Sequence, residues 1–234
     1  MTTFVLVHGA FHGGWCWRRV ARRLRMRGHS VFAPTLSGPA RRKPAPQRDV
    51  DLSTNVADVI GLIERRQLRE VMLVGHSYGG VVAAWAADRV PSRIAQLVCL
   101  DSPLPASGSS VVETHPDGRD WLRTVVEING RSYVAVPDSD VNLFGVTEQR
   151  DIRWLKSKLT PQPALTICEP MQLSGALAQV RKCYVRCRVP GQASDPLFVE
   201  RIKADPTWDF RILLTAHDAM IAAPVQLTEF LLNI

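Results

Sequence analysis

Residues 71–80 read Val71-Met72-Leu73-Val74-Gly75-His76-Ser77-Tyr78-Gly79-Gly80, and the small-residue run Val81-Val82-Ala83-Ala84 follows. Four apolar residues ending at a glycine predict a buried strand, and the small residues after Gly80 predict a helix packed close to it. Between them lies G-x-S-x-G. In a strand–turn–helix setting this pattern has a mechanical meaning. The turn is sharp and strained, glycine is needed where strand and helix pass too closely for a side chain, and the serine hydroxyl is held above the sheet. Ser77 also falls at a helix N-terminus, where backbone N–H groups face any oxyanion that develops. A serine in an ordinary strand-to-helix turn is the bland alternative, and the flanking elements weigh against it.

Working outward, the same alternation recurs. Phe4 to Val7 reads as a strand, and Trp17, Val20, Ala21 and Leu24 then follow at helical spacing opposite Arg18, Arg19, Arg22, Arg23 and Arg25. A strand at Val31 to Ala33, a Pro- and Arg-rich loop from Gly38 to Gln47, and a helix capped by Ser53 or Thr54 come next, this helix carrying Val56, Val59, Ile60 and Ile63. After the Gly79 to Arg89 helix comes a strand at Ile94 to Leu100. From about Ser102 to Val180 no strong strand is expected, only helical stretches at Asp120 to Glu127 and Thr147 to Leu159. Strands return at Lys182 to Arg188 and Phe210 to Leu214, and a helix around Val225 to Leu232 closes the chain. The pattern predicts an α/β fold with a mainly parallel sheet covered by helices on both faces. Residues 1–102 and 181–234 are expected to form the core, and residues 103–180 a small helical cap insertion above the carboxyl ends of the strands.

A serine hydroxyl needs a base to become a nucleophile. Among six histidines, His217 is the candidate, because Leu214-Thr215-Ala216-His217-Asp218-Ala219-Met220 places it after the last strand and before the last helix. An oxyanion site needs a second backbone donor besides the amide after the nucleophile, and Val7-His8-Gly9-Ala10 at the end of the first strand supplies one. The expected pair is the Tyr78 and Ala10 amides. His8, His12 and His76 are assigned to packing and hydrogen bonding around these turns.

Together these residues resemble the α/β-hydrolase superfamily, and within it the group of plant methylesterases, hydroxynitrile lyases and their bacterial relatives. The likeness rests on the opening run Phe4 to Trp17, the turn Gly75 to Gly80, and the spacing from His217 through Met220 to Pro224. It extends over nearly the whole chain and is weakest in the insertion. It implies an esterase with a Ser77–His217–Asp triad. The lyases of the group place a threonine and a lysine where this chain has Gly9 and Asp218, so ester hydrolysis is favoured over cyanohydrin cleavage. The acid departs from the pattern. The usual position just after the penultimate strand holds Arg188 to Ser194, and Asp195 comes several residues late. Asp101, ending the strand after the nucleophile helix, is the alternative that certain relatives use. A carboxylate fixed at a strand end orients imidazole better than one in a loop, so Asp101 is favoured over Asp195. Asp218 is too close in sequence to reach the His217 ring. Trp121, Phe144, Trp154, Leu155 and Leu159 of the insertion are expected either to form an apolar lid over Ser77 or to be the insertion's own core, with a small, mostly apolar ester as the substrate class.

Composition agrees and excludes other classes. The chain of 234 residues, 46% hydrophobic and 22% charged, suits one globular domain and neither disorder nor a fibre. Its 29 Lys+Arg against 22 Asp+Glu give a net charge of +7. Much of the surplus lies on one face of the first helix and at Arg41-Arg42-Lys43, without a nucleic-acid motif, and reads as solvated surface. The five cysteines show no metal-binding spacing, and Cys183 and Cys187, roughly 13 Å apart along a strand, cannot bridge. They read as thiols. No signal segment and no apolar run of roughly 18 residues is found, so a cytoplasmic location is expected, with no membrane or nucleic-acid partner, no metal and no cofactor. Three rivals to the esterase reading share the fold. A hydroxynitrile lyase would release cyanide from mandelonitrile, a cofactor-free dioxygenase would consume oxygen, and a small-ligand receptor would bind without turnover.

Overall fold

A computed structural model describes residues 1–38, 49–115, 118–136, 144–189 and 197–234. Six parallel strands form the central sheet: β1 (Thr3–Val7), β2 (Ser30–Phe32), β3 (Val71–His76), β4 (Ile94–Leu100), β8 (Lys182–Cys187) and β9 (Trp208–Leu213), in the order β2-β1-β3-β4-β8-β9. β1, β3 and β4 are almost wholly buried, as continuous apolar runs must be when helices cover both faces. Helix α1 (Arg18–Met26) buries Val20, Ala21 and Leu24 and turns Arg18, Arg22, Arg23 and Arg25 to solvent, while the half-buried Arg19 pairs with Asp151 and donates to Ile221 O at 2.9 Å. Helix α2 (Leu52–Arg65) starts at Asp51, whose carboxylate accepts from the Thr54 amide at 2.8 Å. The expected Ser53 or Thr54 cap is thus off by two or three residues. Helix α3 (Tyr78–Arg89) buries every residue but Arg89, which its run of alanine, valine and glycine permits. No helix among the described residues is long and apolar enough to cross a membrane.

The stretch between β4 and β8 carries helices, as expected: α4 (Val111–Thr114), α5 (Gly118–Arg123), α6 (Gln149–Lys158) and α7 (Leu165–Cys168). It also holds what was not expected, a three-stranded antiparallel sheet of β5 (Val125–Ile128), β6 (Arg131–Val134) and β7 (Gln162–Pro163). The helix read over Asp120 to Glu127 therefore ends at Arg123, and the residues after it turn into a strand. Ile128 pairs with Arg131 across Asn129-Gly130, whose φ values of 52° and 71° are those of a two-residue hairpin turn. Asn-Gly between Val125-Val126 and Tyr133-Val134 was the legible signal. The chain closes with α8 (Leu197–Ala204), α9 (Ala219–Ala222) and α10 (Pro224–Leu232).

Candidate active site

The parallel sheet brings the ends of its strands to one edge. Since β1 lies between β2 and β3, the chain leaves β1 to one side and returns on the other, which opens a crevice at their carboxyl ends. Ala10 follows β1, Ser77 follows β3, Asp101 follows β4 and His217 follows β9. All four reach that edge from segments distant in sequence.

Ser77 has φ 51° and ψ −127°, a region that costs a residue with a side chain about 1–3 kcal/mol. Its surroundings hold it there. The Ser77 amide donates to Leu100 O at 2.9 Å, and a Cβ on Gly79 would lie 2.4 Å from His8 O, so α3 begins jammed against the end of β1. The serine is partly exposed. Tyr78 opens α3 and keeps its amide at the helix N-terminus, while its buried phenol turns away and donates to Asn55 Oδ1 at 2.8 Å. On the other side, a Cβ on Gly9 would stand 3.1 Å from Ser77 Cβ, so the Gly9–Ala10 loop runs directly beside the serine. His8 Nδ1 donates to Gly9 O at 2.8 Å and its Nε2 accepts from the Leu36 amide at 3.0 Å, which requires a neutral ring. Burial, outweighing the Gly9 hydrogen bond, accordingly lowers its pKa to about 4.

His217 Nδ1 donates to Asp101 Oδ2 at 2.6 Å. Asp101 Oδ1 accepts from Arg186 Nη1 at 3.0 Å and from the Cys187 amide at 3.1 Å. The aspartate backbone, like that of Ser77, is left-handed, with φ 47°. Burial disfavours charge on both members of the pair. The hydrogen bond and mutual attraction still prevail, holding the Asp101 carboxyl below the usual carboxylate range and His217 above the usual histidine value. His217 and Ser77 stay partly exposed while the Asp101 side chain is 8% exposed, a buried carboxylate behind an accessible imidazole. Asp195 lies outside the described residues, as does the Arg41-Arg42-Lys43 loop. His76, beneath the turn, donates from Nε2 to His217 O at 3.0 Å and pins the histidine's backbone. Its pKa is lowered to about 3 by burial and then by the neighbouring His217.

Arg186 was not foreseen as the partner of Asp101, although an arginine within Cys183-Tyr184-Val185-Arg186-Cys187 was an available signal of a buried acid nearby. His76, His217 and Asp218 have donor atoms within 4.8 Å of one another. On these side chains His76 Nε2, His217 Nδ1 and Asp218 Oδ2 are engaged in hydrogen bonds with His217 O, Asp101 and His12. All five cysteines are free thiols. Of the aromatic and aliphatic residues singled out in the insertion, Leu155 and Leu159 are buried, Trp154 meets Trp15 edge-on at 5.0 Å, and Trp121 packs on His115. Phe144 stacks near His217 with ring centroids 6.4 Å apart.

Residues 4–229, nearly the whole chain, match the alpha/beta hydrolase family. The chain belongs to this family. Among the relatives of this alpha/beta hydrolase is a carbendazim hydrolyzing esterase of Nocardioides sp., 34% identical over 98% of each chain. A rice esterase (Oryza sativa subsp. japonica) is 26% identical over 99% of this chain and 94% of its own. A solved extracellular alpha/beta-hydrolase from a Paenibacillus species superposes with a TM-score of 0.82 at 21% identity, covering 100% of this chain and 98% of that one, and thereby supports the fold. Both sequence relatives are esterases, in agreement with the expectation of a hydrolase that acts on ester bonds.

Proposed function

We propose that this protein is a serine carboxylic-ester hydrolase for small, mostly apolar esters, working through Ser77, His217 and Asp101. The observation that carries the reading is the 2.6 Å Asp101–His217 contact at the crevice that Ser77 lines from its strained turn. Asp101 keeps the proton on His217 Nδ1, which leaves Nε2 unprotonated to take the proton of Ser77 as its Oγ attacks the ester carbonyl. The Ala10 and Tyr78 amides hold the resulting oxyanion, a stabilisation worth about 3–4 kcal/mol per donor in such sites. Collapse expels the alkoxide, which takes the proton from His217, and Ser77 keeps the acyl group. Water then attacks the acyl-enzyme, His217 again removing the proton, and the acid leaves as Ser77 is regenerated. No metal or cofactor enters any step. Residues 103–180 act as a lid in this reading, with Phe144 beside His217 giving the site an apolar surface that favours short acyl or alcohol groups.

The test is a p-nitrophenyl ester series against wild type and Ser77→Ala, with a fluorophosphonate probe and peptide mapping of the labelled residue. The proposal expects label on Ser77 and loss of turnover in the variant. Undiminished turnover by Ser77→Ala overturns it.

A further inference from the structure

Asp218 is fully buried next to His217, yet its carboxylate serves a different histidine. His12 Nε2 lies 3.1 Å from Asp218 Oδ2, and His12 Nδ1 lies 2.7 Å from Ala10 O. A carbonyl oxygen can only accept, so Nδ1 carries a proton. The Nε2–carboxylate contact needs another, and the two groups together must hold both protons. That is an imidazolium against a carboxylate, 1% and 0% exposed, or its neutral equivalent with the proton shifted onto Asp218. His8, which flanks the same loop, accepts on one nitrogen and needs only one proton. His12 is thus set apart from its neighbour by its hydrogen-bond partners.

The pair joins two loops that the chain keeps 206 residues apart. On one side Ala10 carries an amide assigned to the oxyanion. On the other, Asp218 follows the base, and its own amide donates to Phe144 O at 3.0 Å. The enclosure is tight. Trp15 stacks on His12 at 5.4 Å, Phe144 meets it edge-on at 5.1 Å, and His76 closes a third side at 6.5 Å. The ionisable groups around Asp218 include His12, His76, His217 and the Cys16 and Cys187 thiols, and, against the effect of burial, the attraction of His12 keeps the Asp218 carboxyl below its ordinary range. A buried pair of this kind adds little net stability but fixes geometry, because separating the partners strands a charge.

We propose that His12 and Asp218 form a buried latch that locks the oxyanion loop to the loop carrying the catalytic histidine, making both of them positioning residues for hydrolysis at Ser77. The inference rests on the esterase reading. The Asp218 charge also supports protonated His217 across the short gap, so the latch tunes the base as well as placing it.

The experiment uses the whole protein and has two arms. Histidine 15N NMR of the unmodified chain is expected to show one ring, assigned to His12 by its loss in His12→Phe, with a protonated Nδ1 and an Nε2 that shares a proton with a carboxylate. A His12 ring with an unprotonated Nδ1, or with an Nε2 that shares no proton, would overturn the latch without any need for a folded Asp218 variant. In the second arm, Asp218→Asn is expected to lower kcat for a p-nitrophenyl ester about 10- to 100-fold with KM nearly unchanged, as for a small misplacement of reacting groups, and to move the acid limb of kcat/KM to lower pH. Asp218→Asn with unaltered kcat and pH profile, while wild type still labels at Ser77, sinks the latch and leaves the esterase reading standing. Absence of labelling in wild type would instead remove the reading on which the latch rests.

Discussion

Replacing Asp101 with asparagine keeps the shape of the side chain and removes one acceptor, and the structure determines which way the amide must turn. The Oδ1 position faces two donors, Arg186 Nη1 at 3.0 Å and the Cys187 amide at 3.1 Å, while the Oδ2 position faces only His217 Nδ1 at 2.6 Å. With its oxygen at Oδ1, asparagine points its NH2 at His217 and forces the ring proton onto Nε2, where the ring can no longer accept from Ser77. The reverse orientation sets NH2 against the guanidinium and the amide, leaving buried donors unpaired at about 1–3 kcal/mol each. The first orientation wins, and the wrong tautomer follows. In a serine triad that error costs about 10⁴-fold in kcat, about 5 kcal/mol of transition-state stabilisation, and the remaining rate comes from oxyanion binding. Steady-state hydrolysis of p-nitrophenyl acetate by Asp101→Asn, with Asp195→Asn in parallel and circular dichroism to confirm folding, measures it. Activity of Asp101→Asn within about tenfold of wild type refutes the reasoning, and a collapse of Asp195→Asn instead identifies the other acid. In wild type, activity needs neutral His217, whose pKa is raised by Asp101 against the pull of burial, so the acid limb of kcat/KM should lie above the ordinary histidine value. Asp101→Asn should move that limb down.

Acid should destabilise the fold through two other histidines. His8 and His76 are held neutral by burial with pKa values lowered to about 4 and about 3, so the unfolded chain binds protons that the folded chain refuses as pH falls below about 6.5. Between pH 7 and pH 5 each should cost about 2 kcal/mol, and His217, with its raised value, returns part of this. Urea midpoints should therefore drop over that interval, and constant or rising midpoints would contradict it. A methyl group at Gly79 meets backbone oxygen 2.4 Å away, so Gly79→Ala should be recovered largely unfolded or with the turn displaced, and a soluble variant of full activity and melting temperature would show that the contact can relax. Mandelonitrile should yield no cyanide above the buffer rate, because Gly9 and Asp218 stand where the lyases of this family carry threonine and lysine, and measurable release would revive the lyase reading.

How much could be read without a structure depended on the range of each interaction. The turn at Ser77 was legible because its requirements are local: an apolar run, glycines where backbones nearly touch, and small residues after them. The strand–helix alternation and the position of His217 after the last strand were legible for the same reason. The Asn129-Gly130 hairpin was equally local and was passed over because its strands are four residues long and do not alternate: β5 is mostly exposed, and β6 buries two successive residues, Tyr133 and Val134. The identity of the carboxylate facing His217 could not be read in this way. Asp101 meets it 116 residues along the chain, and only the parallel register that sets Leu100 beside Val185 and Cys187 beside Leu213 brings the ends of β4, β8 and β9 together. The bond from His12 to Asp218 spans 206 residues and depends on which way two loops fold over the sheet edge. Sequence alone determined the class of fold and the sharp turn that carries Ser77, since these follow from backbone geometry over ten residues or so. Tertiary structure alone decided which acid and which histidines stand together, because hydrogen bonds between side chains are fixed by distance in space, and no pattern of neighbours along the chain encodes it.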